Sequence, residues 1–143
     1  ILLIPATYLV HIAEEYWSGE QFFNWLNHFA GARMTANSFL LLNGIFFFTM
    51  IMACAIALYR RDARIPLVLA SIILSNSLLH LIGSIVTNSY SPGLVSALLL
   101  WIPLSLIWLL HYQLTISVPK KIACFVAGLL IQVMVSFLAL RIQ

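Results

Sequence analysis

The sequence predicts an all-α integral membrane bundle of five transmembrane helices with an outer interfacial amphipathic helix. Three observations carry that expectation. The 143 residues are 63% hydrophobic and only 8% charged, which lies outside the composition of soluble domains. The apolar residues come in runs close to the ~20 residues a helix needs to cross a hydrocarbon core of ~30 Å. The runs lack polar/apolar alternation, and an open sheet facing lipid would leave backbone groups unpaired, so strands are excluded.

The first run, ILLIPATYLVHIAEEYW (1–17), is slightly short for a span. Its end carries two glutamates and no small-residue cleavage site follows, so it does not read as a signal peptide. With no Met at its start, the sequence is expected to lack some leading residues. Next comes SGEQFFNWLNHFAGARMTAN, in which Ser18 and Gln21 fit a capping box. On a helical wheel Glu20, Asn24, Asn27, His28 and Gly31 share one arc and Phe22, Phe23, Trp25, Leu26 and Phe29 the other. A helix over about residues 20–32 is therefore expected to lie in the outer interface and roof what is beneath it.

Four further spans are expected over 37–59, 65–87, 92–112 and 122–140, within a single membrane domain covering 1–143. Pro92, in the SYSPG turn, is placed near the first helical position of the fourth span, where its missing donor costs nothing. Alternation of five spans puts Arg60, Arg61, Arg64, Lys120 and Lys121 on one side, against Arg33 and Arg141 on the other. The positive-inside rule makes the first side cytoplasmic, in a bacterial inner membrane. Trp17, Trp25 and Tyr90 read as interface anchors, Trp101 as deep enough to line a cavity, and Cys54 and Cys124 as small buried hydrophobes. No internal repeat, phosphate-binding loop or nucleophile elbow occurs, and the bases are confined to short clusters between spans. Nucleotide chemistry and nucleic-acid binding have no support.

Depths follow from the ~1.5 Å rise per helical residue. His11 falls ~9 Å inside the outer boundary, Glu14 and Glu15 ~5 and ~3 Å, Asn43 ~9 Å, His80 ~12 Å, Asn76 ~18 Å and Gln132 ~13 Å. Four spans thus contribute polar groups to one layer in the outer half. Such groups are costly in a bilayer and usually face the bundle interior or mark a functional pathway. Glu14 and Glu15 stand at i+3 and i+4 from His11, and Asn76 and His80 are i and i+4 neighbours. A common centre can therefore be approached from two helices.

His11, His80 and one of Glu14 and Glu15 match the His₂Glu type of catalytic zinc site, with a position left open for water. The other glutamate is then available as general base and Asn76 as supporting group. A bridged di-iron site normally uses four carboxylates, and only Glu14 and Glu15 lie at the right depth. Without metal, the same groups suit acid/base chemistry on a lipid-soluble substrate, as in an isomerase or cyclase.

HIAEE (11–15), NSLLH (76–80) and YSPG (90–93) together resemble the HXXEE family of small, mostly bacterial integral membrane proteins. The resemblance points to His11, Glu14, Glu15, Asn76 and His80, with Tyr90, Pro92 and Gly93 shaping the outer turn. It implies no substrate and no metal. The expected function is a membrane-embedded, metal-assisted hydrolase of a lipid or other apolar molecule, with zinc the expected ion and His11, Glu14, Glu15 and His80 the candidate ligands. Two alternatives are the metal-free isomerase or cyclase and a non-catalytic subunit or lipid- or pigment-binding protein, within an oligomer or larger membrane complex. A proton or metal-ion carrier fits less well, because no polar residues continue the path inward.

Overall fold

The structure, a computed structural model, describes residues 1–112 and 116–142. The described residues form six helices: α1 (Leu3–Trp17), α2 (Phe22–Ala30), α3 (Ala36–Arg60), α4 (Arg64–Thr87), α5 (Leu94–His111) and α6 (Val118–Arg141). The last four are long and apolar enough to cross a membrane. At 15 residues, α1 extends ~22 Å and does not meet that length criterion. Four of the five expected spans thus have a helix of that length among the described residues, and the first, 1–17, has a shorter one.

The helix directions follow from their side-chain contacts. Along α1, Tyr16 meets Phe39 of α3, Tyr8 meets Asn43 and Phe47, and Ile1 lies against Cys54. Numbers fall on one helix as they rise on the other, so α1 and α3 are antiparallel. His11 meets His80 and Ile4 packs with Ile73 and Leu69, so α1 and α4 are parallel. A core of Ile4, Tyr8, Met50, Leu69, Ile73, Trp101 and Leu104 fills the space between α1, α3, α4 and α5. Around it, Leu41, Phe48, Ile85, Val86, Leu130 and Val133 point outward, as side chains solvated by lipid would.

The closest helix crossing is between α4 and α6. A methyl group on Gly128 would stand 2.6 Å from Ser71 Cβ and 2.8 Å from the Val68 carbonyl oxygen. Small residues allow such an approach where lipid offers no hydrophobic drive to associate. Buried Ser71 satisfies its own hydroxyl on the Leu67 carbonyl, 2.8 Å away. Gly128→Val is expected to destabilise the bundle by about 1–3 kcal/mol through overpacking. A lowered melting temperature of the protein in detergent would register it.

The helix ends depart from expectation at several points. The capping box lies at Thr35 and Ser38, at the start of α3. Ser18 instead follows α1 and donates to the Glu14 carbonyl at 2.6 Å, while Gln21 precedes α2 with φ 69°. A serine can bond backward to the preceding turn as readily as forward, and here the end of α1 takes it. α2, Phe22–Ala30, is shorter than the helix expected over 20–32. Its end is tied down by Asn27, whose side chain bonds both the carbonyl and the amide of Met34 at 2.8 Å. Pro92 precedes α5, which begins only after Gly93, and Lys120 and Lys121 fall inside the first turn of α6. Cys54 and Cys124 are free and buried, as expected.

Candidate metal centre

His11 and Glu15 are i,i+4 neighbours on α1, and both are buried. Parallel packing brings His80 of α4 alongside, with the two imidazole centroids 4.9 Å apart and their planes at 81°. Glu15 Oε1 lies 3.6 Å from His11 Nε2 and 3.4 Å from His80 Nε2. One ligand atom from each of the three residues falls within 4.8 Å of the other two. A His/Glu/His cluster able to hold a divalent ion is therefore present.

The other nitrogen of each ring is held by a serine. His11 Nδ1 is 2.8 Å from Ser96 Oγ, and His80 Nδ1 is 3.0 Å from Ser91 Oγ. Ser96 Oγ donates its proton to the Gly93 carbonyl at 3.2 Å. In the tautomer that donates Nδ1–H to Ser96 Oγ, the lone pair of a neutral imidazole is left on Nε2, facing the cluster. Hydrogen bonding of the outer nitrogen in this way orients ligand histidines and fixes their tautomer.

α5 opens with a π-helical turn over Ala97–Trp101, a widening often found at functional sites. It ends at Trp101, which stacks on His11 at 3.8 Å between centroids and also on Tyr8. Gly93 closes the cluster on another side. A methyl group there would stand 2.8 Å from Cε1 of both histidines and 3.0 Å from Glu15 Cγ. From α2, Phe22 lies 5.6 Å from the His80 ring, so the expected roof is present. Trp25 belongs to it too. Expected as an exposed anchor, it is buried over Gly83 and donates its Nε1–H to Ser89.

Glu14 is not brought into the cluster, contrary to the expectation that either glutamate is a ligand or base. Its Oε1 accepts the Val95 amide at 2.8 Å and its Oε2 the Ser96 amide at 2.6 Å, so it caps α5 from another helix. The Tyr90 hydroxyl also donates to Oε1. Burial, and then the carboxylate beside it, push the Tyr90 phenol up, which keeps that proton in place. Tyr90 thus braces the turn. Glu14→Ala is expected to leave two amides unsatisfied, at about 1–3 kcal/mol each where buried. It would also loosen Ser96, and with it His11, lowering divalent-ion affinity about 10–100-fold. A zinc titration by competing chelator reads that loss directly.

The cluster opens onto a cavity of about 750 Å³, within the range of small-molecule sites. Tyr8, Asn43, Asn76 and Gln132 line it, so the polar layer inferred from depth does face one space. Asn43 accepts the Tyr8 hydroxyl at 2.8 Å, and Gln132 donates to Ser136 on its own helix. Beyond this layer the walls are apolar, formed by Leu42, Phe46 and Met50 of α3, Val68 and Ile72 of α4 and Val135 of α6. The space continues to Asp62 and Arg64 at the opposite end. Residue types and spacing did not single out Ser91 and Ser96. Ser91 lies inside the YSPG motif, whose tyrosine, proline and glycine were the residues noted, and Ser96 has no sequence signal beyond following it.

A family described as proteins of unknown function with an HXXEE motif matches residues 2–109. The match covers α1 to most of α5, and thus every residue of the cluster. No curated protein and no solved structure matches the chain.

Proposed function

The chain belongs to the HXXEE family, and we propose that it is a membrane-embedded, metal-dependent hydrolase of a lipid-like substrate. His11, Glu15 and His80 would hold the ion. The distances between their donor atoms carry this reading. Two ligands ~2.1 Å from a tetrahedral ion stand ~3.4 Å apart, and Glu15 Oε1 lies 3.4 and 3.6 Å from the two imidazole nitrogens. Buried His11 Nε2 has no hydrogen-bond partner, as suits a lone pair meant for a cation.

The donor set is that of catalytic zinc. A bound divalent ion would supply Lewis acidity and a water that ionises near neutral pH. This chain's own residues do the rest. Ser96 and Ser91 aim the imidazoles, Trp101 and Phe22 shield them, and Glu14 fixes the helix that carries Ser96. Both oxygens of Glu14 are engaged, so it acts as a positioning residue rather than a base.

We further read α1 as a fifth traverse of the bundle and α2 as an interfacial helix. The bases at Arg60, Arg61, Arg64, Lys120 and Lys121 lie at the end opposite the centre, which supports reading the centre as facing outward in a bacterial inner membrane. Metal analysis of detergent-purified protein tests the proposal. About one divalent ion per chain is expected in the wild type, and a marked loss in His11→Ala and His80→Ala. Absence of stoichiometric metal from the wild type overturns it.

A further inference from the structure

Among the described residues, four buried side-chain polar atoms lack a hydrogen-bond partner: His11 Nε2, Trp101 Nε1, Asn76 Oδ1 and Trp108 Nε1. The first three belong to residues lining the 750 Å³ cavity, whereas Trp108 does not line it. Buried polar groups are nearly always paired, and leaving one unpaired is costly. With His11 Nε2 assigned to the ion, a donor and an acceptor remain. Trp101 stacks on His11, and Asn76 sits one helical turn from His80. The pair therefore flanks the cluster from two helices.

A ligand that satisfies both must carry an acceptor and a donor. It must also be apolar beyond them, because the cavity continues from Asn76 to Arg64 along α4. That is 12 residues of helix, ~18 Å. The apolar trough beside it suits a single extended hydrocarbon chain. An ester has the acceptor alone and a hydrocarbon neither. A secondary amide has both.

We propose that the site takes a long-chain N-alkyl amide. Its carbonyl accepts from Trp101 Nε1–H, its N–H donates to Asn76 Oδ1, and its acyl chain lies in the trough between α3, α4 and α6. This deepens the hydrolase reading and rests on it for the reaction. Water adds its oxygen to the carbonyl carbon, the C–N bond breaks, and the water's protons are shared between the released amine and carboxylic acid. No oxidant or second substrate is needed.

The test is equilibrium binding in detergent, on the full chain, of N-ethyl hexadecanamide against ethyl hexadecanoate, which differ only in N–H against O. Metal content is measured on the same preparations. The wild type is expected to prefer the amide about tenfold, the scale of one buried unpaired group. Asn76→Leu is expected to abolish that preference. Trp101→Phe, which keeps the aromatic stack, should weaken both ligands by a similar factor because both present a carbonyl. N-ethyl butanamide should bind more weakly than the long-chain amide. Equal binding of amide and ester by metal-loaded wild type overturns this inference and leaves the hydrolase reading standing. Amide preference in protein that binds no metal overturns the hydrolase reading alone. A preference surviving in Asn76→Leu, with thermal stability intact, also overturns the inference.

Discussion

Glu15→Gln is expected to strip the centre of its ion while leaving the helices in place. Glu15 is the group common to both close approaches, 3.6 Å from His11 Nε2 and 3.4 Å from His80 Nε2. Gln preserves its size and removes the only carboxylate of the cluster. A neutral amide oxygen is a much weaker ligand for zinc than a carboxylate, and two neutral imidazoles then carry the whole site. Affinity should fall by at least the 10–100-fold seen for loss of a supporting group, and metal content after dialysis should approach zero. The melting temperature of metal-free protein should hardly move, because no buried carboxylate is left unpaired by the change. A variant that retains stoichiometric metal would remove Glu15 from the ligand set.

Gly93→Ala is the second large effect expected, and it needs no change to any ligand. Gly93 has φ +99°, where a side chain is strained whatever the space available. The space is also lacking. The added methyl would press on Cε1 of both histidines and on Glu15 Cγ at once. The imidazoles must then part or the turn before α5 must shift, which disturbs the Gly93 carbonyl that receives the Ser96 proton. Overpacking of this kind costs about 1–3 kcal/mol, and the strained backbone adds to it. Both a lower melting temperature and weaker zinc binding are expected, measured by thermal unfolding and by chelator competition. Gly31→Ala provides the contrast. Its φ is +65° but nothing stands within 4 Å, so stability should fall slightly and metal binding not at all.

Much of the scaffold was legible because the membrane constrains it. The second and third expected spans, 37–59 and 65–87, agree with α3 and α4 to within one residue at each end, since the apolar run and the helix are there the same thing. Depth counted at a fixed rise brought His11 and His80 to one level, and they meet. The choice between Glu14 and Glu15 was not legible. At i+3 and i+4 from His11 both flank the same face, and only the position of α5 decides which turns outward to cap it. Ser91, Ser96 and the close approach at Gly93 are equally tertiary facts. A serine beside a Pro-Gly turn has no periodicity to betray a histidine on a helix far earlier in the chain. The first run, 1–17, was already slightly short for a span in the sequence, and its helix, Leu3–Trp17, is shorter than the four candidate spans.

The bond between His11 and Ser96 joins residues 85 positions apart, and His80 and Gly93 are contributed in between. As the chain is synthesised, the side chains of His11, Glu14 and Glu15 therefore precede the groups that bond them, Tyr90, Val95 and Ser96, and the His80 that completes the cluster. Only when α4 has arrived and the first turn of α5 has closed over Gly93 do these groups find their partners. Assembly of the cluster is therefore expected only after α5 has been made. A ribosome-bound chain ending before α5 should hold α1 loosely, and a cell starved of the ion should accumulate full-length but uncharged protein rather than a stalled insertion intermediate.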